Sequence, residues 1–105
     1  ADKILVLSYG KKIAEGKPRD LIAQYLEPEV IEVYGAGALA MQHAPLAQLA
    51  QRVEISGETL FFYTHNAKPM LEALQAYPQL RTLHRPANLE DLFLKLTGRQ
   101  IRDDA

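Results

Sequence analysis

The sequence has no cysteine and no tryptophan among its 105 residues, and its formal net charge is only -1. Without cysteine, disulfides, thiolate metal ligands and cysteine nucleophiles are excluded. A net charge near zero argues against a nucleic-acid-binding protein, because such proteins usually carry a basic excess on one face. The longest unbroken apolar runs are no longer than Ile4–Leu7, so no segment is long enough to span a bilayer.

What the chain does contain is the composition of an ordinary folded protein. Hydrophobic residues make up 48% of the chain and charged residues 24%, which argues against wholesale disorder. The length suits a modest soluble domain without a second sizeable core. Because the chain starts at Ala1 and not at a methionine, we expect it to be a fragment of a longer protein.

The first part of the chain is predicted to be a hairpin followed by a short helix. Ile4–Leu7 and Ile13–Ala14 are strand-like runs on either side of Gly10, and glycine suits a tight turn because it adopts positive φ without steric cost. Pro18 fits the first turn of a helix that ends near Leu26.

The rest of the chain follows the order strand, helix, strand, strand, helix, strand, with a closing helix. The predicted strands are Val30–Tyr34, Val53–Ile55, Leu60–Tyr63 and Leu80–His84, and the predicted helices are Ala38–Arg52, Asn66–Tyr77 and one between Asn88 and Gly98. Pro45 should kink or break the first of these helices. The order is that of a ferredoxin-like βαββαβ domain, with an antiparallel sheet and two helices on one face. The predicted fold class is therefore α+β, with the second sheet face open to solvent, a partner or a ligand.

The closing helix carries the clearest signals for its start and its buried face. Asn88 is a favoured N-cap residue, and Asp91 suits the positive end of the helix dipole. The helix has an apolar face at the spacing i, i+3, i+4 and i+7, formed by Leu89, Leu92, Phe93 and Leu96. Gly98 is predicted to end the helix.

The segment Gly35–Ala40 fits the pattern G-x-G-x-x-A between a strand and a helix. Glycines there let a backbone approach a phosphate, and Glu58 lies roughly 20 residues further on, where a dinucleotide site has its ribose-binding acid. A dinucleotide fold needs repeated parallel βαβ units, however, and here the next strand runs into a hairpin. Two interpretations stay open: a structural turn, or a weak site at Gly35 and Gly37 for a small anionic or amino-acid ligand.

The other candidate residues have simpler interpretations. The three histidines are too scattered in sequence for a metal site, and we expect them to lie on the surface: His43, His65 and His84. Three aromatic residues are consecutive, Phe61, Phe62 and Tyr63, so at least one ring points away from the buried sheet face. A helix or a partner would cover that ring.

Both ends of the chain resemble a known family. The segment Ala1–Pro18, with its Ile13–Pro18 run after a glycine turn, resembles the closing segment of ABC-transporter nucleotide-binding domains. Asn88–Arg99 resembles the ending of exporter ATPases in the drug-resistance and nodulation-factor group. The middle, Val30–Gly35 and Val53–Phe61, is most similar to the nodulation members of that group.

This resemblance implies a division of the chain into two parts. Residues 1–27 would be the terminal hairpin and helix of an ATP-binding cassette domain, and residues 28–105 a C-terminal ferredoxin-like accessory domain. The parent would bind ATP and magnesium and hydrolyse ATP to drive export. It would lie in the cytoplasm, peripheral to the inner face of the membrane. The chain has no phosphate-binding loop, magnesium-binding acid or signature motif, so no catalytic, cofactor-binding or metal residue is carried over.

We therefore expect a non-catalytic regulatory or dimerisation domain that acts through protein contacts. The implied partners are the nucleotide-binding domain of its own parent chain, a second ATPase subunit and, indirectly, the membrane permease, with no nucleic acid. The candidate interaction residues are Ile4, Val6, Phe61, Tyr63, Leu92 and Phe93. In isolation, the segment 1–26 should expose apolar edges and promote self-association. The alternative is a stand-alone ferredoxin-like sensor that binds a small molecule at Gly35–Gly37.

Overall fold

The computed structural model describes the backbone of residues 3–8 and 10–104 and the side chains of residues 3–7 and 10–96. Every strand pairing in these residues is antiparallel, and helices alternate with the strands. The α+β class is therefore confirmed. None of the described helices is both long enough and apolar enough to cross a membrane.

The elements follow one another in the predicted order, with two 3-10 helices in place of one long helix. They are β1 (Ile4–Ser8), β2 (Lys11–Gly16), α1 (Pro18–Tyr25), β3 (Glu29–Tyr34), a first 3-10 helix (Ala38–His43), a second 3-10 helix (Pro45–Leu49), β4 (Arg52–Ser56), β5 (Thr59–Thr64), α2 (Lys68–Leu74), β6 (Arg81–Pro86) and α3 (Leu89–Asp104).

The chain forms two compact units. The hairpin unit comprises Ala1–Leu26 and Ala87–Ala105, and the sheet unit comprises Glu27–Pro86. The hairpin unit thus contains both ends of the chain, and α3 belongs to it. The predicted division of the chain between residues 27 and 28 concerned the domains of a longer parent protein. It stays a prediction.

The hairpin unit has a small aliphatic core between β1, β2 and the two helices. Its buried members are Val6, Ala14, Leu21, Leu26 and Leu92. Val6 and Ala14 are cross-strand partners on the inner face of the hairpin. Because side chains alternate along a strand, Leu5 and Leu7 lie on the outer face, where they are 53% and 52% exposed.

A lysine from α3 stabilises the end of α1. The last turn of α1 has no basic residue of its own. Lys95 Nζ donates a hydrogen bond to the carbonyl oxygen of Tyr25, the last residue of α1, over 2.5 Å. A cation at this position offsets the negative end of the helix dipole.

The helix α3 begins where the sequence predicts, but it ends later than predicted. Asn88 Oδ1 accepts a hydrogen bond from the Asp91 backbone N–H over 3.2 Å, and Asp91 Oδ2 accepts one from the Asn88 N–H over 2.8 Å. This reciprocal arrangement is a capping box, so the predicted N-cap is confirmed. The predicted stop at Gly98 is wrong, because α3 continues to Asp104.

The sheet unit is built on four antiparallel strands in the order β4-β5-β3-β6. Ile31 and Val33 of β3 and Leu60 and Phe62 of β5 face the same side of the sheet. Two crossovers cover that side: the pair of 3-10 helices that connects β3 to β4, and the segment with α2 that connects β5 to β6. They contribute Ala38, Leu46, Met70 and Leu74 to its core. The ferredoxin-like arrangement, with two helices on one face of the sheet, stays a prediction, since two 3-10 helices stand where its first helix was expected.

The predicted helix Ala38–Arg52 is wrong in type and in extent. Two short 3-10 helices replace it, and the break that Pro45 predicts is confirmed. Ala44 has φ -75° and ψ 155°, the extended conformation to which a following proline restricts a residue. Each segment is therefore too short for α-helical hydrogen bonding to propagate, and Arg52 begins β4 instead.

Two further boundaries differ from the sequence-based ones. The predicted helix Asn66–Tyr77 is observed as Lys68–Leu74, because Thr64 and Asn66 hydrogen-bond each other locally before it begins. The predicted strand Leu80–His84 is observed as Arg81–Pro86.

Replacing Asn88 by alanine should destabilise the chain by about 1 kcal/mol, because the Asp91 N–H loses its acceptor. Urea denaturation of Asn88→Ala measures the loss. Glu90→Gln is the matched control, since Glu90 lies in the same helical turn and is exposed. An equal loss in both variants would contradict a specific role for the cap.

Candidate functional site

The Gly35–Gly37 segment is a tight turn between β3 and the first 3-10 helix. Gly35 has φ +108° and Gly37 has φ +84°, values that other residues adopt only with strain. A Cβ at Gly35 would lie 3.4 Å from the carbonyl oxygen of Gln79. Glycine is needed here because the chain turns with positive φ next to another backbone segment.

Two amide groups that follow this turn donate back to its carbonyl oxygens. The Ala38 N–H donates to the Gly35 carbonyl over 3.1 Å, and the Ala40 N–H donates to the Gly37 carbonyl over 3.2 Å. The segment lines a shallow depression of about 450 Å³, together with Glu58. Glu58 would repel an anion, and the Ala38 and Ala40 N–H groups are already bonded, so this geometry favours the structural-turn interpretation. Ligand binding at Gly35 and Gly37 stays a prediction.

The open face of the sheet carries a row of side chains that crosses all four strands. The register places Arg52 of β4 beside Tyr63 of β5, Tyr63 beside Val30 of β3, and Val30 beside Arg85 of β6. Val30 and Tyr63 are fully buried. The aromatic residue that the sequence expects to point away from the core is therefore Tyr63, together with Phe61 two positions earlier.

Arg52 is the centre of a charged cluster on this face. Its Nη1 lies 2.7 Å from Glu54 Oε2 and its Nη2 lies 3.2 Å from Glu27 Oε1. Its guanidinium carbon lies 3.8 Å from the centroid of the Tyr63 ring. The Arg52 side chain is only 14% exposed. A planar guanidinium suits this position because it can bind two carboxylates at its edge while its face stacks on a ring.

Further along the open face the side chains become more exposed. Arg85 Nε donates to Glu32 Oε2 over 2.6 Å. Beyond this pair, Tyr34 and Leu83 are 40% and 48% exposed. The open face is thus made of ion-paired charges at one end and accessible apolar side chains at the other.

The candidate interaction residues fall in different places. Val6 and Leu92 are brought together in the core of the hairpin unit, and Ile4 packs against the same core. Phe93 is 42% exposed on α3. Phe61 and Tyr63 lie on the open sheet face, with Phe61 partly buried. The structure gives Val6, Leu92 and Tyr63 contacts within the chain, and the interaction role of all six stays a prediction.

The histidines lie on the surface, as the sequence predicts, and His84 makes a hydrogen-bond contact with a carboxylate. His84 Nε2 lies 2.6 Å from Glu29 Oε1, whereas His43 and His65 are exposed elsewhere. In the part of the chain that the structure describes, no group of His, Cys, Asp or Glu side chains could hold a metal ion.

Sequence reasoning missed the Arg52 cluster because it placed Arg52 at the end of a helix. The available signal was the spacing of Arg52 and Glu54, which places the two charges on one face of a strand. Glu27 lies 25 positions before Arg52, so no local pattern connects it to the cluster.

These features define a small α+β module with one antiparallel hairpin unit and one four-stranded sheet unit, and comparison with known proteins identifies its family. Residues 37–98 match the model of the C-terminal domain of the nodulation factor export protein NodI. The chain belongs to this family of NodI C-terminal domains.

Curated relatives support the same family over nearly the whole chain. The Nod factor export ATP-binding protein I of Cupriavidus pinatubonensis is 53% identical over 100 residues, which cover 95% of this chain and 30% of that protein. The protein of the same name from Ralstonia nicotianae is 50% identical, over 97% of this chain and 33% of that protein. The chain therefore spans about a third of the length of these relatives. No solved structure matches the chain.

Replacing Arg52 by lysine should destabilise the sheet unit by about 1–3 kcal/mol although the charge is kept, because an ammonium cannot bind both carboxylates and stack on Tyr63. Thermal and urea denaturation measure the loss. Arg81→Lys is the matched control, since Arg81 is exposed on β6. Equal stability of Arg52→Lys and the unchanged chain would contradict the role given to the guanidinium.

Nucleotides, inorganic phosphate and free amino acids should leave the melting temperature of the chain unchanged, because Glu58 repels their negatively charged groups and the Ala38 and Ala40 N–H groups are already bonded. A thermal-shift titration tests this, since a ligand that binds only the folded state raises the melting temperature. A saturable rise that Gly37→Ala abolishes would instead support the sensor interpretation.

Proposed function

We propose that this chain is the non-catalytic C-terminal part of an exporter ATPase subunit, and that it acts by holding protein surfaces together. The hairpin unit would brace the ATP-binding part of the same polypeptide, and the sheet unit would contact a second ATPase subunit. In this proposal the chain supplies contacts and stability, while ATP and magnesium are bound elsewhere in the parent.

The observation that carries the proposal is the outer face of the hairpin. Leu5 and Leu7 lie side by side on this face and remain about half exposed, although the inner face already has a complete aliphatic core. A two-stranded sheet is marginally stable alone in water. Two adjacent exposed leucines on such a sheet are typical of a surface that another part of a protein covers.

The family comparison supports the identity of the covering part. The chain matches about a third of the length of its relatives, and these are named ATP-binding proteins. In a protein of that length, most of the polypeptide lies outside the matched stretch. In this proposal the ATP-binding part therefore supplies the surface that covers the hairpin.

Burial of one leucine side chain contributes about 1.5–3 kcal/mol. Replacing Leu5 by lysine should therefore destabilise the full-length ATPase by about 2 kcal/mol and reduce its ATP hydrolysis at elevated temperature. The same substitution in the 105-residue chain should change stability by less than about 0.5 kcal/mol, because an exposed side chain has little burial to lose. Differential scanning calorimetry of both proteins gives the comparison.

Lys11→Gln serves as the matched control, because Lys11 is exposed in the same hairpin and carries no apolar contact to lose. The proposal requires that this variant behave like the unchanged protein in both lengths. If Leu5→Lys is equally harmless in the full-length ATPase and in the short chain, the hairpin does not brace the ATP-binding part.

A further inference from the structure

The sheet unit has two edge strands, β4 and β6, whose outer sides are paired with no other strand in the described residues. Unpaired backbone N–H and C=O groups on such an edge can hydrogen-bond to another strand. We propose that β4 pairs with β4 of a second copy of this chain, antiparallel and centred on Glu54. This inference rests on the proposed function, which brings two ATPase subunits together.

The length of β4 suits a symmetric pairing. The strand runs from Arg52 to Ser56 and has Glu54 at its centre. A two-fold axis through Glu54 therefore pairs the whole strand with itself. Each Arg52 then lies opposite Ser56 of the other copy, which avoids placing the two arginines opposite each other.

The apolar side chains of β4 are self-complementary in this register. Each Val53 lies opposite Ile55 of the other copy, and both residues belong to the sheet face that carries the core. Ile55 is 44% exposed in the single chain, whereas Val53 packs against the core. The pairing covers Ile55 and extends the aliphatic row across two sheets, and cross-strand aliphatic pairs of this kind stabilise a sheet.

The central Glu54 residues would meet at the axis, so their charge matters. Each Glu54 accepts a hydrogen bond from Arg52 of its own chain over 2.7 Å, and its side chain is only 11% exposed. Because Arg52 also binds Glu27, it offsets only part of this negative charge within each copy. Residual repulsion between them is reduced by salt, so moderate salt should favour the paired form.

The other edge is less suitable for pairing with itself. A two-fold axis through Leu83, one of the two central residues of β6, would place Arg81 opposite Arg85. Arg85 is paired with Glu32, but Arg81 is exposed and has no ion-pair partner among the described side chains. Like charges directly opposite one another destabilise a strand pair, so we assign the contact to β4.

A contact through one short strand is small compared with the roughly 1,200–2,000 Å² of a stable interface. The free chain should therefore dimerise weakly, with a dissociation constant on the order of 1 mM. Inside an assembly that already holds two subunits, the local concentration reaches the millimolar range. A contact of this strength would form and break as the subunits approach and separate.

Disulfide trapping tests the register directly, because the chain has no cysteine of its own. Residues directly opposite on paired strands have Cβ atoms about 4.5–5.5 Å apart, close to disulfide geometry. Glu54→Cys should therefore form a covalent dimer under mild oxidation at millimolar protein concentration. Ser56→Cys should form much less, since the two Ser56 residues would be roughly 14 Å apart.

Three further variants complete the experiment. Leu83→Cys reports pairing through β6, and dominant trapping there would overturn the assignment to β4. Equal trapping at all three positions, or none above random collision, would also overturn it.

Because Glu54→Cys removes a partner of Arg52, sedimentation of Ile55→Lys provides a second measurement: this variant should lose the weak dimer, while Leu83→Lys should keep it. A weak dimer that survives Ile55→Lys contradicts the proposal.

The outcome can be separated from that of the proposed function. Absence of trapping together with destabilisation of the full-length ATPase by Leu5→Lys would remove the β4 contact and leave the bracing role intact. Trapping at Glu54 with no effect of Leu5→Lys would support the β4 contact and contradict the bracing role.

Discussion

The pairing of β3 with β5 is the constraint on which the sheet unit depends. Its register places Ile31 opposite Phe62 and Val33 opposite Leu60, so that these four apolar side chains share one face of the central pair. A shift by a single residue would turn these side chains to the opposite face. The two crossovers can cover only one face, and the same register therefore leaves Tyr63 and Val30 on the other.

That second face explains why Arg52 matters more than a surface arginine usually does. Tyr63 is buried on a face without a crossover of its own, and Arg52 lies over its ring. The carboxylates of Glu27 and Glu54 then hold the guanidinium in place. Charged groups with matched partners can cover an aromatic ring at lower cost than an isolated charge, because few of their hydrogen-bonding positions are left unsatisfied.

Local patterns in the sequence predicted the strands, the hairpin turns and the start of the last helix. The roles of Asn88 and Asp91 at the start of α3 could be predicted because this signal lies within four consecutive residues. The helix Ala38–Arg52 was misread because periodicity does not separate an α-helix from two 3-10 turns interrupted by a proline. Gly98 was misread because glycine lowers helix propensity by only about 1 kcal/mol, which neighbouring turns can offset. The contact of Glu27 with Arg52 and that of Leu92 with Val6 depend on tertiary structure, and no local pattern contains them.

The matched family model and the structural units have different boundaries. The model covers residues 37–98, so it begins after β3 and ends within α3. It therefore omits a central strand of the sheet unit and includes part of the hairpin unit. A protein expressed from residue 37 onwards would lack the strand that pairs with both β5 and β6, and its sheet could not form.

The hairpin unit takes its residues from both ends of the chain, and this has a consequence for synthesis on the ribosome. Domains usually complete in the order in which they emerge. Here β1, β2 and α1 emerge first, but Leu92 and the rest of α3 follow only after the whole sheet unit. The sheet unit is contiguous in sequence and can therefore finish folding first. Until α3 has emerged, the nascent hairpin lacks Leu92, so its inner face with Val6 and Ala14 stays uncovered longer than any other part of the core.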